Sequence, residues 1–371
     1  MKAARLAEAC TLGSLLINPS ALGTVTTWLR ADDFSDPWHG QLYAVMRERL
    51  VAGQAINPKD VGLHLKEQVG YNRADLVRIV GLLGATPARP HPLRYAAMVL
   101  ESSLRREVAC QGVLLRAAAL SAALTQERRS LMVGTALVED ALTMGEGRWQ
   151  LAMGESSSGA ATHPELAPAL RNLDRFLAAD RMLAAHPDLD RQQVQESERR
   201  LVAALVCHPD EVRSVSSWLH PESLQDKPWR AVYNALLELV ERGDAVDAVT
   251  VAWQVQHGSR QLGPGPEPVD LIRAVEAAAT DDPRFYSRPV ATDILRRTAD
   301  SGARSLQAAA GNPGIDVPDL FETGRLVTAT VRSAALGISE RPGDLSGRHL
   351  AAVRDEPHVD VADERAGPVA G

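Results

Sequence analysis

The chain has 371 residues, enough for two or three ordinary domains, and its 45% apolar and 23% charged content is that of a globular, soluble protein. A formal net charge of −7 gives no protein-wide attraction toward nucleic acid, although local basic patches are still allowed. Lys2, Lys59, Lys66 and Lys227 are the only lysines among 40 basic residues, and none follows a glycine; the phosphate-cradling pattern G-x-x-x-x-G-K-S/T is therefore excluded. Aromatic residues make up only 4%, so the cores must be built from Ala, Leu and Val, a mixture that favours helices.

In chain order, Lys2 and Arg5 before Leu12, Leu15, Leu16 and Ile17 loosely imitate a secretory signal, but Glu8 interrupts the stretch and Asn18-Pro19 ends it. An amphipathic first helix is the better reading. Leu22, Val25 and Leu29 continue the helical spacing. The turn Asp32-Asp33-Phe34-Ser35-Asp36-Pro37 is rich in caps, and a helix from about Trp38 to Val51 follows, stopped by Gly53. Pro58 opens a short helix toward Val69, and Leu76, Ile79, Val80 and Leu83 mark another. After a proline-rich turn, the pattern is helical from Leu93 to about Ala123 and from about Arg129 to Trp149, an antiparallel pair joined by a short turn. Gly154 to Thr162 is a small, polar stretch of linker composition, and a helix from about Pro168 to Ala185 leads out of it. Near the end, Ala291–Ala310 and Pro318–Ala335 form a second helix pair, and beyond about Ser339 the composition predicts disorder. No apolar run approaches the roughly 18 residues that a membrane span needs.

The chain is a tandem repeat. An offset of 190 places Glu8 on Glu198, Trp28-Leu29 on Trp218-Leu219, Asp36 on Asp226 and Tyr43 on Tyr233, with twelve identities between positions 8 and 61. After one inserted residue, Tyr95 falls on Tyr286 and Leu104-Arg105-Arg106 on Leu295-Arg296-Arg297.

The residues Leu12-Gly13-Ser14-Leu15-Leu16, Asp33-Phe34-x-Asp36-Pro37-x-His39, Tyr43, Gly53, Tyr95-Ala96-x-x-Val99 and Leu104-Arg105-Arg106 resemble, in order and spacing, the N-terminal domain of the DnaB family of bacterial replicative helicases. The resemblance covers about residues 6–148 and, more loosely, 196–337; the second copy has Leu224 for the Phe, Trp229 where His39 stands, and Pro228 one place from Pro37. It implies an all-α fold of two helical globules, each followed by a helical hairpin. The corresponding division is 6–150 for the first copy, 151–166 for a flexible linker, 167–338 for a lead-in helix and the second copy, and 339–371 for a disordered tail. In that family the domain forms a collar above the motor ring and docks primase. The resemblance thus implies replicative helicase or primase as partner, in a bacterial cytoplasm. A RecA-like ATPase follows the domain in the helicases, whereas here a second collar domain follows, so a non-enzyme without cofactors is expected.

Other catalytic patterns are wanting. Gly154-Glu155-Ser156-Ser157-Ser158-Gly159 lacks a glycine at the place of Ser158 for a nucleophile elbow. Cys207-His208 has no metal-ligand spacing, and three separated cysteines fit reduced thiols in a cytoplasm. His39 is expected to make a structural hydrogen bond, and Asp36 and Asp226 to cap helices. The paired aromatics Trp28/Trp218, Tyr43/Tyr233 and Tyr95/Tyr286 read as packing residues rather than base-stacking ones. Arg105, Arg106, Arg116, Arg296 and Arg297 are the partner-interface candidates, with a solvated helix face as the plain alternative and phosphate contact as a further one. Residues 1–110 carry 13 basic and 10 acidic side chains, and residues 195–300 carry 12 and 17. Copies of opposite sign could attract one another, predicting intramolecular pairing or a homodimer, with direct contact to DNA the less favoured alternative.

Overall fold

A computed structural model describes residues 2–69, 76–155, 173–188, 190–258 and 264–338; among these there is no strand. The Ser156–Ser158 segment, the residues between 156 and 172, and the tail from 339 lie outside the described residues.

The first copy begins with α1 (Lys2–Ile17), whose Leu12, Leu15 and Leu16 are buried. Asn18 ends it by accepting a bond from the Ser20 amide, and a 3-10 turn leads into the short α2 (Leu22–Val25). Asp36 caps α3 (Pro37–Val51) by accepting from the Trp38 amide, and Gly53, at φ +64, closes its far end in the left-handed conformation. Then come α4 (Pro58–Val69) and α5 (Leu76–Ala85). Two long helices complete the copy: α6 (Pro92–Thr125) and α7 (Arg128–Met153), joined through Gln126 at φ 55. The lead-in helix, α8 (Leu173–Ala185), packs on α6.

The second copy repeats this order as α9 (Arg191–Cys207), α10 (Val212–Ser216), α11 (Lys227–Arg242), α12 (Ala248–Gly258) and α13 (Pro268–Ala277), followed by the hairpin helices α14 (Pro283–Gly311) and α15 (Val317–Ala334). Gly243, at φ +73, repeats the cap of Gly53. The first helix of this hairpin starts earlier than the spacing of apolar residues indicates, because Asp282 caps it and Pro283 occupies its first turn.

The two hairpins pack on each other. The long helices α6 and α14 run antiparallel, since Arg105 meets Asn312 and Ile315 while Gln126 meets Thr292. They cross at Gly112 and Ala303, where a Cβ built on the glycine would lie 3.0 Å from both the Cα and the Cβ of the alanine. These residues occupy the same position in the two copies, at the offset that matches Tyr95 to Tyr286, so the crossing marks a local pseudo-twofold axis. Beside them, Phe321 of α15 fills the space over Gly145 of α7, and Leu142 fills that over Gly324. Removing side chains at these crossings lets the helix backbones approach closely.

The same continuous core therefore contains Leu12, Leu42 and Leu100 of the first copy and Leu295, Phe321 and Val331 of the second. A separate core fills the second globule around Leu205, Tyr233 and Leu236, and Trp218 and Ala334 touch both. The first globule is fastened near residues 103–106 of α6, and the second near residues 293–297 of α14, which lie level with about residue 122 of α6. At 1.5 Å per residue the two attachments are about 27 Å apart along the bundle, so the globules stand at opposite ends of it. Apolar hairpin faces, rather than attraction between oppositely charged globules, join the copies. One expectation needs correcting: α6 does hold a window long and apolar enough to cross a membrane by length and composition. Its apolar side chains meet α1, α7 and the second hairpin instead.

Candidate functional site

The loop before α3 is organised from α1. Glu8, 1% exposed, accepts bonds from the Ser35 amide at 2.7 Å, the Ser35 hydroxyl at 2.6 Å, the Asp36 amide at 3.3 Å and His39 Nδ1 at 2.8 Å. Burial alone would raise its carboxyl, but these donors, His39 foremost, outweigh burial and hold the pKa at about 2. In the second copy Glu198 accepts from the Gln225 and Asp226 amides, all bonds at 2.9–3.0 Å. Trp229 stands where His39 would be, and burial raises the Glu198 carboxyl against the pull of those two amides. His39 is thus a hydrogen-bonding partner within the fold. Asp226 caps α11 from the Trp229 amide and pairs with Arg199 at 2.9 Å; Asp36 pairs with Arg78 at 3.1 Å.

The repeated aromatics divide by depth. Tyr43 and Tyr233 are fully buried, and each hydroxyl donates to a carbonyl, of Leu29 and Leu219 respectively, at 3.2 Å. Burial raises both phenols. Trp28 is buried, whereas Trp218, Tyr95 and Tyr286 are half-buried. Arg200 donates to the Tyr286 hydroxyl at 3.0 Å, and Tyr95 lies edge-on to His91.

The five arginine candidates are held within the chain. Arg105 donates to the carbonyls of Asn312 at 3.0 Å and Ile315 at 2.6 Å, so it grips the turn of the opposite hairpin. Arg116 pairs with Asp300 across the same seam. Arg296 donates to the carbonyls of His186 and Pro187 and pairs with Asp188 at 3.0 Å, clasping the segment after α8. Arg106 and Arg297 do equivalent work in each copy: they donate to the carbonyls of Asp33 at 2.6 Å and Ser223 at 2.7 Å and fasten hairpin to globule. Further along the seam, Arg325 pairs with Glu146 and Arg332 with Glu139.

The first copy also holds a buried polar network that no local pattern in the sequence announces. Arg148 of α7 donates to the Trp28 carbonyl at 2.9 Å, pairs with Asp33, and approaches Glu107 at 3.5 Å. Ser103 donates to Asp33 at 2.8 Å. Breaking such a buried pair costs about 3–5 kcal/mol, because one charge is left without its partner. Glu8 could have been found from its identity with Glu198. Arg148 could not, because Gly337 takes its place against Trp218 in the second copy.

The described residues hold no group of three His, Cys, Asp or Glu side chains able to bind a metal. Cys10, Cys110 and Cys207 are free, and burial raises all three thiols, the opposite of what a nucleophile needs. Both globules leave apolar side chains uncovered on their short helices: Leu63, Val77 and Val80 in one, Trp253 and Val269 in the other. Leu63 and Trp253 are equivalent at the offset of 190.

The family model of the DnaB-like helicase N-terminal domain matches the chain twice, at residues 2–101 and 190–281, together more than half its length. The chain belongs to the DnaB-like helicase N-terminal domain family. Among curated relatives, the replicative DNA helicase DnaB of Mycobacterium leprae (strain TN) is 31% identical over 141 residues, which is 36% of this chain and 23% of that protein. The chain thus matches less than a quarter of that DnaB helicase. No solved structure matches it.

Proposed function

We propose that this protein is a non-catalytic replication adaptor of the bacterial cytoplasm that binds the replicative helicase or its primase through its two DnaB-type domains. One observation carries the reading: the domain is present twice, and the two hairpins are already paired with each other. A hairpin face engaged inside the chain is closed to a second chain, which leaves the globules as the surfaces for partners. The apolar face that includes Leu63, Val77 and Val80, and its counterpart with Trp253 and Val269, supply the exposed anchors such docking needs. The two faces would be held at fixed separation by the bundle, so one chain could engage two partner molecules or two sites on one ring. Without a glycine–lysine pair in its 371 residues, the chain has no P-loop with which to hydrolyse ATP.

The alternative, nucleic-acid binding through the hairpin arginines, is weakened because Arg105, Arg116 and Arg296 bond across internal seams and Arg106 and Arg297 fasten the globules. A pull-down with purified helicase and primase is expected to retain one of them, and Trp253→Ala is expected to reduce that retention. Retention of neither would count against the adaptor. Tight DNA binding that weakens steeply with salt would favour the alternative.

A further inference from the structure

The first copy contains a cavity of about 290 Å³ between α6, α7, the 31–33 turn and α8. Gln111 lies on its wall, only 4% exposed, and its carboxamide has no hydrogen-bond partner among the described residues. The carboxamide atoms are not sealed from solvent and open on the cavity, so they are available to a molecule that enters it.

The tandem repeat supplies an internal control. At the equivalent place in α14 stands Gly302, and Val327 fills the space above it, with its Cγ1 only 2.5 Å from where a Cβ would be. Asp33, Ser103 and Glu107 correspond to Ser223, Ile294 and Thr298, and the Arg148 place is taken by Gly337. The second copy thus adopts the same fold with apolar or small residues at these places, where the first buries Asp33 and Arg148, and it buries Asp293 beside Gln225 and Arg297 instead. The fold does not require the cavity or its polar wall.

We propose that this cavity is a binding site for a nucleobase, carried either by a free nucleoside or by a nucleotide of a single strand. Its volume lies at the small end of ligand sites, sufficient for a base with its sugar. Its charges are balanced, with Arg30, Arg106 and Arg148 facing Asp32 and Glu107 and with Asp33 directly behind Arg148, so an uncharged ring suits it better than an ion. The Gln111 carboxamide presents a donor beside an acceptor, the complement of a base edge with the same pair. Phe176 offers a ring to stack on, and Met144 a polarizable wall.

The site is independent of the adaptor reading, so a failed pull-down leaves it standing and the reverse also holds. The test is ligand-observed NMR on the full chain with each of the four common nucleosides and a short single-stranded oligonucleotide. Gln111→Leu is the variant and Gln68→Leu, on the exposed face of α4, the control. Because Gln111 has no partner to lose, its leucine variant should melt no lower than the parent. At least one nucleoside or the strand should bind the parent and the control and bind Gln111→Leu about tenfold or more weakly. Binding by nucleosides identifies a free ligand, and binding by the strand alone identifies an extruded base; either supports the proposal. No binding by any of these, or equal binding to parent and Gln111→Leu, overturns it.

Discussion

Glu8 and Glu198 occupy the same place in two copies of one fold, yet their protonation equilibria move in opposite directions. Glu8 falls from an ordinary value of 4.5 to about 2 on folding. Its contribution to stability is therefore complete above pH 4.5 and is lost as the pH falls from there toward 2, a loss of about 3 kcal/mol when integrated. Glu198 is raised on folding, so its contribution is complete below 4.5 and declines as the pH rises through its folded value. Acidification from pH 6 to 3 should thus loosen the first globule while sparing the second. Hydrogen exchange would show it: the Ser35 and Asp36 amides should lose protection before those of Gln225 and Asp226, and the reverse order would refute this account. The cause lies in two side chains, His39 foremost and then Ser35, which donate to Glu8 where Trp229 and the Gln225 side chain offer nothing to Glu198.

At the scale of elements, the bundle depends on where side chains are missing. Gly112→Leu would drive a side chain into the backbone of α14 at Ala303, for which the close approach leaves no room. The expected cost is about 1–3 kcal/mol or more, read from the denaturant midpoint. Gly81 of α5, by contrast, has no neighbour within 4 Å of a built Cβ. Gly81→Ala should add up to about 1 kcal/mol through helix propensity alone. The contrast separates glycine kept for packing from glycine that is merely tolerated. Most of these helices were legible beforehand: Asp36 and Pro37 start α3, Gly53 ends it, and the Leu93–Ala123 and Arg129–Trp149 patterns fall inside α6 and α7. Helix ends were less so, since α7 continues to Met153 and is closed by Gly154 at φ +80.

For the whole molecule, the two hairpins pair within one chain, and a tethered partner is present at far higher effective concentration than a free one. The 39.9 kDa chain should accordingly sediment as a single protomer over a wide range of dilution, with the elongated form of two globules on a bundle. Concentration-dependent assembly that Gly112→Leu abolishes would show that the hairpins pair between chains instead. The same geometry holds the two exposed globule faces apart, so affinity for a partner with two equivalent sites should exceed affinity for one with a single site.

Helical periodicity, caps and the 190-residue repeat were enough to establish an all-α chain carrying the same domain twice, since these signals act over a few residues or recur as identities. They also located the Asp36/Asp226 caps and the buried Tyr43/Tyr233 pair. Side-chain partners far apart in the chain carry no such local signal. Arg148 meets Asp33 across 115 residues and Arg105 meets Ile315 across 210. Whether an arginine faces water, a phosphate or a neighbouring helix is decided by which surfaces come together. Tertiary structure alone therefore decided that the hairpins close on each other, that their arginines are engaged there, and that the first copy keeps a polar cavity which the second has filled with Val327.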